Sequence, residues 1–449
     1  MPGPLPRRRR RRPRPGVAAL LAVAVALTGC EAPAASLAPT TSAPISTNTP
    51  QGLRAKQIVD MLNSDWPIGE NGVKTLAAPD MVQPISRLMD GLWWDRPYTV
   101  SSVDVGAGTA TLHLRTSFGG HQVITIALDG DRMVRRFQPT LERPVVRSWE
   151  DVDATLRETG ARYAYQVAKV DDGRCERVAG TNTSLSLPLA SIFKMYVLLA
   201  VADAVTHGTL RWTDQLTITA EAKALGSSGF DKLAPGTKIS VRTAAEKMIS
   251  TSDNMATDLL IARLGPGAVE RALVAAGHHD PASMTPFPTM HEIFSVGWGT
   301  PDVRERWKAA DHAGRVALLR ETDSRPYRPD PERTTTPAST IGAEWYGSPE
   351  DICRLHAALQ RSAVGKAAPV RDIMSAVPGI DLDRAAWPYI GAKAGNLPGD
   401  LTFSWYVEDR TGQPYVVSFQ LNWPRYHGPS AGGWLMSIIT QAFALITPR

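Results

Sequence analysis

The sequence predicts an α/β domain whose helical middle is flanked by an antiparallel sheet, preceded by a small α+β domain. Three observations carry this. Ile192 to Val205 is apolar except for Lys194, Tyr196 and Asp203, the pattern of a helix buried nearly all round. Strand-like runs stand on both sides of the helical middle: ARYAYQVAKV and CERVAG before it, then YIGAKAG, LTFSWYVED and QPYVVSFQLN after it. Upstream, the periodicity changes at Tyr98 from helical to alternating, as expected for helices followed by a curved antiparallel sheet.

Taken in order, Arg7 to Arg12 plus Arg14 form a basic n-region, and Gly16 to Ala26 an apolar h-region too short for a stable membrane span. Leu27-Thr28-Gly29-Cys30 then resembles a bacterial lipobox, so residues 1–29 read as a lipoprotein signal peptide and Cys30 as the lipidated first residue of a membrane-anchored, extracytoplasmic protein. Residues 30–50, rich in Ala, Pro, Ser and Thr, read as a tether. The small domain is expected over 51–147. It opens with helical patterns, LRAKQIVDMLNS and MVQPISRLMDGLWW, and continues with four strand-like runs separated by Gly and Asp turns. Leu92-Trp93-Trp94 reads as core packing, with a pocket wall as the other reading. The second domain is expected over 148–449, closing with a helix in GWLMSIITQAFALI.

Processing changes the charge. The formal charge of the whole chain is +5, but residues 1–29 hold seven arginines and no acid. The mature chain therefore has 42 Lys plus Arg against 44 Asp plus Glu, which removes the argument for nucleic-acid binding. Cys175 and Cys353 would stand in a compartment that permits disulfides, and the sequence leaves their pairing open.

Three motifs carry the chemistry. In Ser191-Ile192-Phe193-Lys194, no other serine of the chain has a lysine three residues later. Residues three apart are neighbours on a helix, and burial lowers a lysine's pKa, so a neutral Lys194 can take the proton of Ser191. Ser252-Asp253-Asn254 follows 61 residues on, between two helical stretches. Its structural reading is a helix N-cap; its chemical reading is a proton shuttle at Ser252 and a positioning amide at Asn254. Lys393-Ala394-Gly395, then Asn396, sits where a strand runs into a turn. There Lys393 offers positive charge to a substrate carboxylate, while Ala394 and Gly395 keep the strand edge open.

In these motifs the chain resembles the active-site serine hydrolases of the β-lactamase and penicillin-binding-protein superfamily, over about residues 150–449. The resemblance implies Ser191 as nucleophile, Lys194 as base, Ser252 and Asn254 as relay and positioning groups, and Lys393 as anchor. It also implies an oxyanion hole from the backbone N–H groups of Ser191 and Asn396. Two departures qualify it. Lys-Ala-Gly lacks the hydroxyl of the usual Lys-Thr-Gly or Lys-Ser-Gly. In TPFPTMHEIFSVGWGT, Glu292 is the only carboxylate near the place of the class A deacylation glutamate, and Val296 replaces the expected asparagine. Glu292 reads as a solvated helix residue, so acylation is expected to survive while deacylation is slow or uses another base. The segment from Thr300 to Tyr346 lengthens the gap from Ser252 to Lys393 to 141 residues and is expected to reshape the mouth of the site.

In ASIFKMYVL, KMISTSDNMATDLLI, TPFPTM and KAGNLPG, and in domain order, the chain is similar to an actinobacterial family of two-domain proteins. That family joins a steroid-isomerase-like N-terminal domain to a β-lactamase-like domain, and includes mycobacterial lipoproteins and a protein of the clavulanic-acid cluster. The resemblance implies weak β-lactamase activity and esterase activity on cephalosporins, with a small-molecule acyl substrate. Other readings are a non-hydrolysing lipoprotein that binds β-lactams or peptidoglycan fragments, and a peptidoglycan D,D-carboxypeptidase.

Competing signals fall away. Gly428-Pro429-Ser430-Ala431-Gly432 matches a nucleophile elbow, but no Asp, Glu or His follows it, so it reads as a helix-entry turn. His278-His279 and His291-Glu292 lack metal-ligand spacing, and neither a P-loop nor a dinucleotide fingerprint occurs, so neither metal nor cofactor is expected.

Overall fold

The computed structural model describes residues 41–220, 225, 230 and 232–446. The expected signal peptide, Cys30 and the first part of the expected tether lie outside the described residues. The end of that tether is already folded. Ala43 N donates to Val100 O at 2.9 Å, Val100 N donates to Ser42 Oγ at 3.0 Å, and Ala43 and Ile45 pack on the first core. Order therefore begins before residue 51, because the main chain here finds hydrogen-bond partners that composition does not reveal.

Two helices, Pro50–Leu62 and Val82–Trp93, lie against a meander of β1 (Thr99–Val105), β2 (Thr109–Arg115), β3 (His121–Leu128) and β4 (Val134–Leu141). The strands pair antiparallel in sequence order. Alternation puts Ala110, Leu112 and Leu114 of β2, with Ile124 and Ile126 of β3, on one buried face, where Ile58, Leu62, Ile85 and Met89 meet them. Of the expected tryptophan cluster, Trp93 is core and donates from Nε1 to Ser64 O at 2.9 Å, whereas half-buried Trp94 meets Tyr426 edge-on at 5.0 Å.

The second sheet holds β5 (Arg162–Asp171), β6 (Arg174–Thr181), β11 (Tyr389–Leu397), β12 (Asp400–Glu408) and β13 (Pro414–Asn422) in the order β11-β12-β13-β5-β6. Between them in sequence come two small ribbons, β7 (Leu187–Pro188) with β10 (Tyr346–Gly347), and β8 (Gln215–Thr217) with β9 (Lys238–Ser240). Strand periodicity sorts the faces of the large sheet. Tyr163, Tyr165 and Val167 with Tyr415, Val417, Phe419 and Leu421 face the C-terminal helix Pro429–Ile446. That helix is long and apolar enough to span a membrane by length and composition, yet Leu435, Ile438, Ile439 and Phe443 bury one stripe on the sheet. Each such side chain contributes roughly 1.5–3 kcal/mol by burial.

The opposite face carries Lys393, Ser404, Ser418 and Gln420 and meets the helical layer, in which Lys194–Thr206 is central and buried nearly all round. Helix Pro349–Ser362 joins this layer, and its Cys353 is disulfide-bonded to Cys175 of β6 across 178 residues of sequence. The segment expected to reshape the site's mouth forms helices Arg304–Ala309 and His312–Asp323 around a core of its own that includes Trp298, Trp307, Leu318 and Ile341.

Asp95 closes the junction between the two sheets. It is fully buried, accepts from Gly428 N at 2.9 Å and from the Ser430 hydroxyl, and so caps the entry turn of the C-terminal helix. Gly428 has to be glycine, since a Cβ there would lie 2.8 Å from Gly91 O. The elbow-like motif is thus a docking turn. Phe118 adds edge contacts with His427 at 5.7 Å and Trp434 at 5.6 Å.

Candidate active site

The first motif does not start as an α-helix. Ala190–Phe193 is a 3-10 turn that runs into the helix Lys194–Thr206. In a 3-10 turn residues three apart eclipse, so Ser191 and Lys194 share one side. Ala190 sits at φ 43°, a left-handed conformation that costs a non-glycine residue roughly 1–3 kcal/mol. The surroundings enforce it: Leu189 N donates to Trp345 O at 2.8 Å, and the buried Glu344 carboxylate accepts from the N–H groups of Ala190 and Trp345.

Lys194 is fully buried. Its nitrogen donates to Ser252 O at 2.6 Å and Asn254 Oδ1 at 2.7 Å, and stands 3.1 Å from Ser252 Oγ. Burial holds its pKa well below the ordinary lysine value, and the nearby Lys393 ammonium pushes it the same way. A neutral amine has two protons and one lone pair. Two fixed carbonyl acceptors take the protons and leave the lone pair free for a hydroxyl. The lysine expected beside the Ser191 hydroxyl is therefore held by the second motif, while Ser191 Oγ has no hydrogen-bond partner among the described residues and faces the cleft.

The Ser252 turn is the bridge. Asp253 caps the helix Asn254–Leu264 by accepting from Ala256 N at 2.8 Å, so the cap reading of this motif holds, and the same turn brings Ser252 and Asn254 to Lys194. Ser252 itself has φ 58°, a second non-glycine residue held left-handed at the site. Its hydroxyl oxygen accepts from Lys393 Nζ at 3.0 Å, which also donates to Ala394 O at 2.6 Å. Lys393 is buried, and burial pushes its pKa down to about 7.

β11 is the edge of the large sheet, so backbone groups on its outer side face the cleft instead of a neighbouring strand. Gly395 makes the approach possible: a Cβ there would lie 2.6 Å from Ser191 N and 2.7 Å from Leu189 O. Ala394 and Asn396 are exposed and line, with Ser191 and Ser252, a cleft of about 480 Å³. Its far wall is the stretch from Trp423 to Met436 that Asp95 fixes.

Glu292 is not a solvated residue. It is half-buried at N3 of the helix Met290–Trp298, in a capping box that takes Thr289 N at 2.7 Å and Thr289 Oγ1 at 3.0 Å on one oxygen. Neither Glu292 nor Val296 lines the cleft.

Several residues here carried no signal in the sequence reading. Asp258, one turn after Asn254, is half-buried, with its carboxyl pushed up to about 7 by burial, and caps the helix Met290–Trp298 through Met290 N at 2.8 Å and His291 N at 3.0 Å. Glu344 and Asp400 form a buried carboxyl pair behind Ala190, and burial raises both pKa values. His356, kept neutral by burial with its pKa lowered to about 3, meets Ser404 Oγ at 3.0 Å, and that hydroxyl donates to Lys393 O at 3.1 Å. His278, His279 and Asp351 cluster within 4.8 Å, but Asp351 is occupied by Ser348, His279 and Arg354 as a helix cap.

Fold and site together define a serine hydrolase of the β-lactamase and penicillin-binding-protein type. The sequence profile described as "Beta-lactamase enzyme family" matches residues 147–419, more than half of the chain. The chain belongs to that family. Residues 45–134 match a second profile, described as "ORF 12 gene product N-terminal". No curated protein matches the chain. Among solved structures it is similar to a β-lactamase from Sphaerobacter thermophilus (21% identity, 64% of this chain and 94% of that one, TM-score 0.44). It is also similar to the chromosome-encoded β-lactamase of Vibrio parahaemolyticus (16%, 67% and 99%, TM-score 0.48). A third is PBP-A (18%, 63% and 90%, TM-score 0.43).

Proposed function

We propose that this chain is an exported, lipid-anchored serine hydrolase that works through a serine acyl-enzyme, weak on β-lactams and active as an esterase that includes cephalosporin side chains among its substrates. One observation carries the reading. Three motifs far apart in sequence meet at one hydroxyl, with Lys194 at 3.1 Å and Lys393 at 3.0 Å from Ser252 Oγ, in a cleft that Ser191 lines. Ser191 attacks the acyl carbon and neutral Lys194 accepts its proton. Ser252, hydrogen-bonded to both lysines, passes a proton to the leaving group. Asn254 holds Lys194 and a substrate amide or ester, and the N–H groups of Ser191 and Asn396 receive the oxyanion. Lys393 attracts an anionic substrate, although Ala394 supplies no hydroxyl beside it.

Deacylation distinguishes the activities. With Glu292 engaged in its capping box, a β-lactam acyl-enzyme persists, which supports weak lactamase activity; it equally favours a second reading as a β-lactam-trapping lipoprotein. Membrane anchoring through Cys30 rests on the lipobox, and the Cys175–Cys353 disulfide suits an oxidising compartment. Membership of the two-domain lipoprotein family is supported by the two profile matches in that order, 45–134 and then 147–419.

The test is intact-mass spectrometry of the soluble mature chain with penicillin G and, separately, a 3′-acetoxy cephalosporin, with Ser191→Ala alongside and acetate release followed. A Ser191-dependent adduct or acetate release is expected, and adduct lifetime separates lactamase, esterase and trap. No adduct and no release, together with no Ser191 labelling by a fluorophosphonate, would overturn the reading.

A further inference from the structure

Beside the Ser191 cleft lies a second cavity of about 550 Å³, where the small domain, the Thr335–Pro337 turn and the stretch Pro424–Tyr426 meet. Tyr426 lines both cavities and stands between them as a shared wall residue. Two arginines from opposite sides of the junction, Arg96 and Arg425, line the second cavity, both half-buried.

Their surroundings leave them poorly neutralised. Neither forms an ion pair with a carboxylate among the described residues. Arg96 stacks over the Trp93 ring at 3.4 Å and spends one N–H on Trp93 O at 3.0 Å. Arg425 reaches only Trp94 O, at 3.5 Å. Each guanidinium has five N–H donors, so most of the ten have no protein acceptor. Two acids are near. Asp65 lines the cavity and draws on Arg96, while Asp95 lies toward Arg425 but has both oxygens engaged by Gly428 and Ser430. Burial lowers both arginine pKa values, and Arg425 lowers that of Arg96 further. Two like charges held together in a part-desolvated place repel, and an anion between them reverses the sign. Trp94 and Tyr426, edge-on at 5.0 Å, wall the cavity with aromatic surface.

We propose that Arg96 and Arg425 form an oxyanion subsite, built across the two domains, that holds a carboxylate or phosphate at the distal end of the acyl substrate. Guanidinium forks match such groups in plane and spacing. The small domain would then supply half of substrate recognition, moved outward from the reacting centre, where Ala394 lacks the hydroxyl for a nearby carboxylate. This rests on Ser191 being the nucleophile.

The test compares 4-nitrophenyl monoesters of linear dicarboxylic acids, from glutaric to sebacic, with neutral 4-nitrophenyl alkanoates of equal length. The parent chain is expected to favour, at one length or more, the anionic ester in kcat/KM. Arg96→Gln and Arg425→Gln should each lower that preference about tenfold, with Arg→Lys variants retaining part of it and salt weakening it in the parent. A preference that is absent, or unmoved in the double variant, overturns the subsite. Calorimetric titration with inorganic phosphate reads the subsite without turnover: binding by the parent and loss in the double variant is expected, and equal behaviour of the two, including none by either, overturns it. Fluorophosphonate labelling of Ser191 in the parent tells failure of the subsite from failure of the hydrolase reading.

Discussion

Replacing Lys393 by methionine keeps the apolar stem, removes the ammonium and tests whether Lys194 acts as a neutral base. Both amines contact Ser252 Oγ, at 3.1 Å and 3.0 Å, so their nitrogens are no more than about 6 Å apart. Unit charges at that spacing repel by about 3 kcal/mol at an effective dielectric constant of about 20. That equals about a hundredfold in the fraction of Lys194 that stays neutral under acid conditions. The sign follows from direction. Lys194 is held below its ordinary pKa, so its neutral form extends to lower pH than that of a free lysine and is lost as pH falls through the lowered value. Removing the neighbouring charge lets it protonate at higher pH. The assay is the second-order rate of Ser191 labelling by an uncharged fluorophosphonate between about pH 5 and 9. The ratio of parent to Lys393→Met should widen toward acid, by up to about a hundredfold, above whatever constant factor the lost Ser252 contact imposes. A ratio that is the same at every pH would refute the assignment of Lys194 as the titrating base.

Four further outcomes follow from the geometry. Gly395→Ala puts a Cβ 2.6 Å from Ser191 N; the chain should still fold by circular dichroism, while labelling of Ser191 falls at least about tenfold. Asp95→Ala leaves the buried Gly428 N–H without its acceptor and should cost about 1–3 kcal/mol in urea unfolding, with Asp95→Asn costing less. Joint replacement of Cys175 and Cys353 by alanine removes a crosslink spanning 178 residues and should lower stability by about 2–5 kcal/mol. Lys393, with its pKa near 7, is charged below that pH and neutral above it; kcat/KM for anionic substrates relative to neutral ones should therefore fall as pH rises through about 7.

The sequence singled out most of the residues that meet at the candidate site because their spacing is partly local. Ser191 and Lys194 share a turn, and Ser252 and Asn254 flank a cap, so their chemistry is written within a few residues. Lys393-Ala394-Gly395 was legible through its strand pattern and order. What stayed hidden depends on contacts across the fold. Glu292 looked solvated because a capping box is readable only once Thr289 is known to end a loop. The carboxyl pair Glu344 and Asp400, and the buried His356 under Lys393, stand in segments with no local motif; only their burial distinguishes them. The tether was drawn too long because Ala, Pro, Ser and Thr composition says nothing of a strand waiting to accept Ala43.

By itself, the sequence determined the helical core around Lys194, the alternating faces of the large sheet and the candidate groups for acyl-transfer chemistry. These follow from side-chain periodicity and reactivity, which are properties of neighbours in the chain. Tertiary structure alone decided that Cys175 meets Cys353, that Asp95 caps the turn at Gly428, and that Arg96 and Arg425 face one cavity. Each of these joins residues separated by well over a hundred positions, and such pairs are fixed by how whole elements pack, not by any pattern along the chain.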